Sequence, residues 1–252
     1  MPLRWTWLRT LIGGAAIYAL VTISAESTEN IHLVPAVLVL GALLIPVTFV
    51  VYLFERLPVE PAIVPTLAVC FGAGGSIGVA AASILEYQTL RDLGALPMLA
   101  VGVIEESVKL AVPLWLLLHG RFRSPGAGLL LGVASGMGFA ALETMGYGLG
   151  ALVQSRGQIG PTEELLLIRG VLSPVGHAAW TGLVCAALWR RPRSWSAVAA
   201  AFATAVALHA LWDSTDSILV RVAIGTVSAA LVAAQIRRVR LGRPPIPEPT
   251  GA

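Results

Sequence analysis

Residues 99–118, LAVGVIEESVKLAVPLWLLL, carry Glu105, Glu106 and Lys109 at the middle of an apolar run. On a helix, Lys109 is four residues from Glu105 and three from Glu106, so one ammonium reaches either carboxylate. The two carboxylates project about 100° apart around the helix axis. At about 5 Å and an effective dielectric near 20, their mutual repulsion is on the order of 3 kcal/mol. Both do not easily stay ionised. The expected outcome is one carboxylate paired with Lys109 and the other free to exchange a proton, which is how a general base is prepared.

Other titratable residues recur at separate places in the chain. Glu143 ends FAALE, His177 follows SPVG, and His209 and Asp213 stand four apart in HALWD. Two carboxylates, two histidines and further acids suit hydrolysis, with Glu105 or Glu106 activating water. His177 and His209 with Glu143 or Asp213 form a possible metal set, and zinc is the expected ion. Without an ion, the two histidines serve instead as oxyanion donors. Asp213 either ligates or orients the His209 ring. The chain has no H-E-x-x-H, so the common zinc-protease signature is absent.

The elements that must position these groups are membrane helices. The chain is 56% hydrophobic and only 12% charged, where a soluble domain averages about 25% charged. Its mean hydropathy is +0.81. Apolar runs near twenty residues are the transmembrane signal. They fall at about 8–25, 31–54, 62–85, 95–118, 126–152, 165–189, 196–213 and 216–236. The expected fold is an all-α, polytopic bundle of about eight spans, with catalytic spans at about 95–213. Residues 1–240 form one integral-membrane domain, and the Pro-rich 241–252 a disordered cytoplasmic tail. Residues 1–25 read as a first span rather than a cleaved signal peptide, because Ile23 stands where a small residue is needed.

The arginines set the expected orientation, N-in and C-in. Under the positive-inside rule, Arg4, Arg9, Arg56, Arg121, Arg123, Arg190, Arg191, Arg193, Arg237, Arg238, Arg240 and Arg243 all fall inside. Arg91, Arg156, Arg169 and Arg221 fall at the outer side, and Lys109 is the only lysine. Arg169 and Arg221 are expected to snorkel or to pair with Glu163, Glu164 or Asp216. Glu105 and Glu106 lie about ten residues below the outer surface, roughly 15 Å at 1.5 Å per residue. Glu143, His177 and His209 fall in the same outer half. The net charge of +3 implies contact with anionic lipid rather than nucleic acid. Cys70 and Cys185 are expected to be buried free thiols. Gly128, Gly132 and Gly136 are four apart, as are Gly74 and Gly78, the spacing that lets helix backbones approach closely. Pro97, Pro113 and Pro174 mark expected helix ends or kinks.

EESVK is an E-E-x-x-K motif, followed in the next three spans by FAALE, a GH pair and HALWD. This order resembles the PrsW-type intramembrane proteases, which are similar in turn to the CAAX prenyl protease and bacteriocin-processing families. The resemblance runs from about 99 to 213. It implies a multi-pass cell-membrane protease, cutting membrane-anchored proteins such as an anti-sigma factor near the extracytoplasmic face. It also implies that Glu105 and Glu106 are catalytic glutamates, Lys109 the motif lysine, and Glu143, His177, His209 and Asp213 the remaining site positions. The chain departs from the pattern at Thr144, where asparagine is expected. CAAX-type enzymes would carry histidine in place of Glu143 and asparagine in place of Asp213, which disfavours prenyl processing.

Three rivals compete with this reading. GGSIG, residues 74–78, matches G-x-S-x-G around Ser76, but a nucleophile elbow needs a strand-to-helix turn. VASG at 133–136 lacks the leading glycine of a G-x-S-G serine site. A proton-coupled transporter or channel would use the same acids, yet spans four to six turn apolar toward the inner side. A catalytically inactive membrane-binding relative is the third.

Overall fold

The computed structural model describes residues 5–120, 122–190 and 193–242. Among them every regular element is helical. Helices α1 (Thr6–Thr28) and α2 (Val34–Arg56) form an antiparallel pair. Helices α3 (Val64–Val69) and α4 (Gly75–Leu93) form one rod interrupted by a π turn at Cys70–Gly74. Then come α5 (Met98–Lys109), α6 (Ala111–Leu118) and α7 (Pro125–Gln154). The chain ends with α8 (Ile159–Leu172), α9 (His177–Leu188), α10 (Trp195–Asp213) and α11 (Ile218–Leu241). The expected tail begins where α11 ends. Residues 243–252 lie outside the described residues, as do Arg4, Arg121, Arg191 and Arg243 of the arginine tally.

Seven of the expected spans are helices long and apolar enough to cross a membrane. The exception is the fourth, 98–118, which breaks at Leu110 between α5 and α6. The cause is Pro113. Proline has no N–H to give the carbonyl four residues back, which is that of Lys109. Ser135 of α7 answers it instead, its hydroxyl donating to Lys109 O at 2.6 Å. The sixth segment stays one membrane-length helical run, Ile159–Leu188, but is interrupted at Ser173–Val175 by the same logic. Pro174 cannot serve the Gly170 carbonyl, and the Ser173 hydroxyl donates to it at 2.8 Å. Each break therefore leaves a satisfied backbone, as a dry environment demands. One ends α5 at Lys109, and the other starts α9 at His177.

Helix α7 is the axle. Residues 126–141 are buried without interruption. Its glycine stripe faces α9: a β-carbon on Gly128 would strike Trp189, on Gly132 Cys185, and on Gly136 the His177 carbonyl. On the opposite side, a β-carbon on Gly138 would overlap the Phe71 carbonyl of the π turn. Gly75 and Gly138 meet backbone to backbone there. The small residues expected to pack helices therefore do so, and those at 136 and 138 set the depth at which α9 and α4 sit. Cys70 and Cys185 are buried free thiols. Large apolar side chains on α1, α4 and α11, such as Leu20, Ile84 and Leu219, remain exposed, as faces turned to lipid require.

Candidate active site

The two helix breaks bring Lys109 and His177 together, at the inner end of the 12-residue α5 that starts after the loop at 94–97. An ammonium has three N–H groups, and Lys109 uses all three. Nζ donates to Glu105 Oε2 at 3.0 Å, Glu106 Oε1 at 2.8 Å and His177 Nδ1 at 2.7 Å. The Phe139 ring also lies against the ammonium, 4.2 Å from Nζ to its centroid. Removing such a charge from water costs several kcal/mol, offset only by contacts of this completeness. The contact to Nδ1 also fixes the His177 ring. Its accepting nitrogen is Nδ1, so its N–H is at Nε2, 3.0 Å from Glu143 Oε2.

The adjacent glutamates differ. Glu106 is fully buried. Its Oε1 accepts from Lys109 and faces His209 Nδ1 at 2.9 Å, and its Oε2 accepts from the Thr181 hydroxyl at 3.3 Å. Glu105 keeps 9% of its side chain exposed. Its Oε2 meets Lys109 and lies 3.4 Å from His209 Nε2, while among the described residues Oε1 makes no hydrogen bond.

The imidazoles are held as firmly. His209 stacks on Trp180 with centroids 4.8 Å apart, and Trp180 donates its indole N–H to Ser228 of α11 at 3.0 Å. His209 Nε2 also lies 3.2 Å from Asp213 Oδ2, one turn later on the same helix. Glu143 is gripped from the far side by Arg169, Nη2 to Oε2 at 2.9 Å. Arg169 was expected to snorkel or to pair with Glu163, Glu164 or Asp216, and it pairs with Glu143 instead. It points into the bundle because Glu143, Thr144 and the Tyr147 ring line up along one face of α7. Thr144, standing where asparagine was expected, accepts the Arg169 Nε–H at 3.3 Å. Arg221 does meet Asp216, at 3.4 Å.

A cavity of about 510 Å³ opens over these groups, within the size range of ligand sites. Glu105, Glu143, His177, His209 and Asp213 line it, while Glu106 and Lys109 lie behind the wall. All seven side chains picked from the sequence thus fall in one contact network. Trp180 also lines the cavity. Arg169 and Glu86 do so too, and the sequence reading passed over both as site residues. Glu86 had a signal. It lies eight residues before the turn at Gly94, and Glu105 lies eight residues after the end of that turn at Pro97. The serine rivals fare worse. Ser76 is exposed and away from the cavity lining, and Ser135 spends its hydroxyl on Lys109 O.

Among the described residues, Glu105, His177 and His209 form a group whose possible ligand atoms all lie within 4.8 Å of one another. Two histidines and a carboxylate suit a catalytic metal. Glu106 on His209 and Glu143 on His177 are the carboxylate partners that metal-binding histidines usually have. The donor set therefore fits an ion, with Glu105 in the place expected for Glu143 or Asp213. Because both His177 nitrogens are engaged, by Lys109 and by Glu143, ion binding must exchange one of those contacts.

The sequence model of the family described as PrsW family intramembrane metalloprotease matches residues 4–236, nearly the whole chain. The chain belongs to this family. Membership supports intramembrane protease activity, hence a hydrolase, in a multi-pass membrane protein. No curated protein and no solved structure matches the chain. In this PrsW-family chain, the E-E-x-x-K motif supplies the Lys109 centre, and the later motifs supply Glu143, His177, His209 and Asp213 around it.

Proposed function

We propose that the chain hydrolyses a peptide bond of a membrane-anchored protein, an anti-sigma factor being one such substrate, on water activated by Glu105. The observation that supports this most directly is the division of labour within one carboxylate. Glu105 Oε2 is anchored by Lys109, while Oε1 makes no hydrogen bond among the described residues and belongs to a side chain that lines the cavity. A base so held needs no reorganisation when it takes a proton. The proton of water passes to Glu105 as the water oxygen bonds to the substrate carbonyl carbon. The C–N bond then breaks, and the same proton leaves on the amine.

Glu106 takes no part in bond making. It carries Lys109 and His209 and so positions both. The developing oxyanion takes its N–H donors from His177 Nε2, released from Glu143, and His209 Nε2, released from Asp213. An ion, if used, would be held by Glu105, His177 and His209, and would polarise the carbonyl and acidify its bound water. The inner floor is closed by the buried half of α7, so peptide enters from the loop end. The arginine distribution makes that the extracytoplasmic side.

The test is cleavage of single-span reporter proteins by wild type and by Glu105→Gln, Glu106→Gln, His177→Ala and His209→Ala, each with and without a chelator. Loss in all four variants is expected. Chelator sensitivity assigns the ion, and insensitivity assigns the glutamate–water route. Full activity of Glu105→Gln overturns the proposal.

A further inference from the structure

Resting on that reading, we propose that Glu86 is a specificity residue which draws substrates carrying a lysine or arginine close to the scissile bond. Glu86 is on α4, the helix joined to α5 by the turn at 94–97. By residue count the two arms place Glu86 and Glu105 at equal depth, and α4 packs against both α5 and α7. Glu86 lines the same cavity as Glu105, Glu143 and Asp213.

What separates Glu86 from the other acids there is that no cation among the described residues pairs with it. Lys109 meets Glu105 and Glu106, Arg169 meets Glu143, and His209 meets Glu106 and Asp213. Arg221, also on the wall, reaches Asp216 through Nη2 at 3.4 Å, and its Nε is buried without a partner among the described residues. Glu86 Oε1 is shut off from solvent with no hydrogen-bond partner, as is Glu143 Oε2, but Glu143 has Arg169 within ion-pair distance and Glu86 has no such cation among the described residues. A carboxylate oxygen out of contact with water and unpaired is costly. It persists where something outside the chain supplies the donor. The walls nearby already hold Glu105 and Glu143, so the local field favours a cation over a neutral donor. A lysine or arginine tail suits the cavity, because its stem packs on apolar wall while its charged end reaches the acid.

The test uses single-span peptides that differ at one position beside the cleaved bond, carrying Lys, Met or Glu, with the full chain in nanodiscs. Cleavage rates are measured on the active protein, and binding on Glu105→Gln, so recognition is read even where hydrolysis is absent. The Lys peptide is expected to exceed the Met peptide about tenfold in kcat/KM, mainly through KM, with a matching preference in binding. Glu86→Gln should bring the two peptides to within twofold of each other. Glu86→Lys should transfer the preference to the Glu peptide. Equal use of Lys and Met peptides by the wild type overturns the inference while leaving the protease intact. So does a Lys preference that survives in Glu86→Gln. A binding preference without any cleavage supports the role of Glu86 and overturns the protease reading instead.

Discussion

The two halves of α7 make the most instructive comparison. From Gly126 to Ala141 every residue is buried, and nearly all are small or aliphatic. From Leu142 to Gln154 burial is broken, and the same helix offers Glu143, Thr144 and Tyr147 to a cavity. The first half is an insulating floor closed by glycines. The second is a working wall. A dry floor strengthens every charge interaction above it, since little solvent remains to screen them. Lys109 marks the boundary: its ammonium lies on Phe139, and its carbonyl is tied down to Ser135.

If the wall does chemistry and the floor only packs, variants in the two halves should fail differently. The largest effect belongs to Glu105→Gln. Cleavage should fall by about 10²–10⁴, the usual contribution of a general base, while thermal unfolding in detergent moves little. In the floor, Gly138→Leu must push against the Phe71 backbone, and overpacking of this kind costs about 1–3 kcal/mol or more. A lowered unfolding midpoint should accompany the activity loss there. An unchanged midpoint would break the comparison.

Arg169→Gln removes one of two groups holding Glu143. The pair is one of charge rather than an aligned hydrogen bond, and a neighbouring opposite charge shifts a carboxyl by about 1–3 pKa units, so activity should drop about 10- to 100-fold with the fold retained. An equal loss in stability would place Arg169 with the floor instead. Smallest of all, Ser76→Ala should leave cleavage within twofold, since Ser76 faces away from the cavity. Abolished cleavage would return the serine rival.

Much of the site was legible because lipid penalises ionisable residues so heavily that each one stands out against its span. Glu105, Glu106, Lys109, Glu143, His177, His209 and Asp213 were all visible this way. Helix spacing was enough to show that Lys109 reaches both glutamates. Glu86 was harder because the expected third span stops at 85, one residue before it, while α4 runs on to Leu93; Arg169 was harder because it lies near the end of α8, where a charge commonly means contact with headgroups. Only the packing of α4 and α8 turns them inward. The broken fourth span was half legible: Pro113 announced an irregularity, but Ser135, which makes it tolerable, comes 22 residues later on another helix.

By itself, then, the sequence determined the helical class, the spans and the roster of polar groups, because hydropathy and helix periodicity are local properties of a chain in lipid. Tertiary structure alone decided that Glu106 is the buried support and Glu105 the exposed oxygen, that Lys109 sets the His177 tautomer, and that no cation among the described residues pairs with Glu86. Those outcomes depend on which neighbours reach each atom, and neighbours from five separate helices cannot be read along one chain.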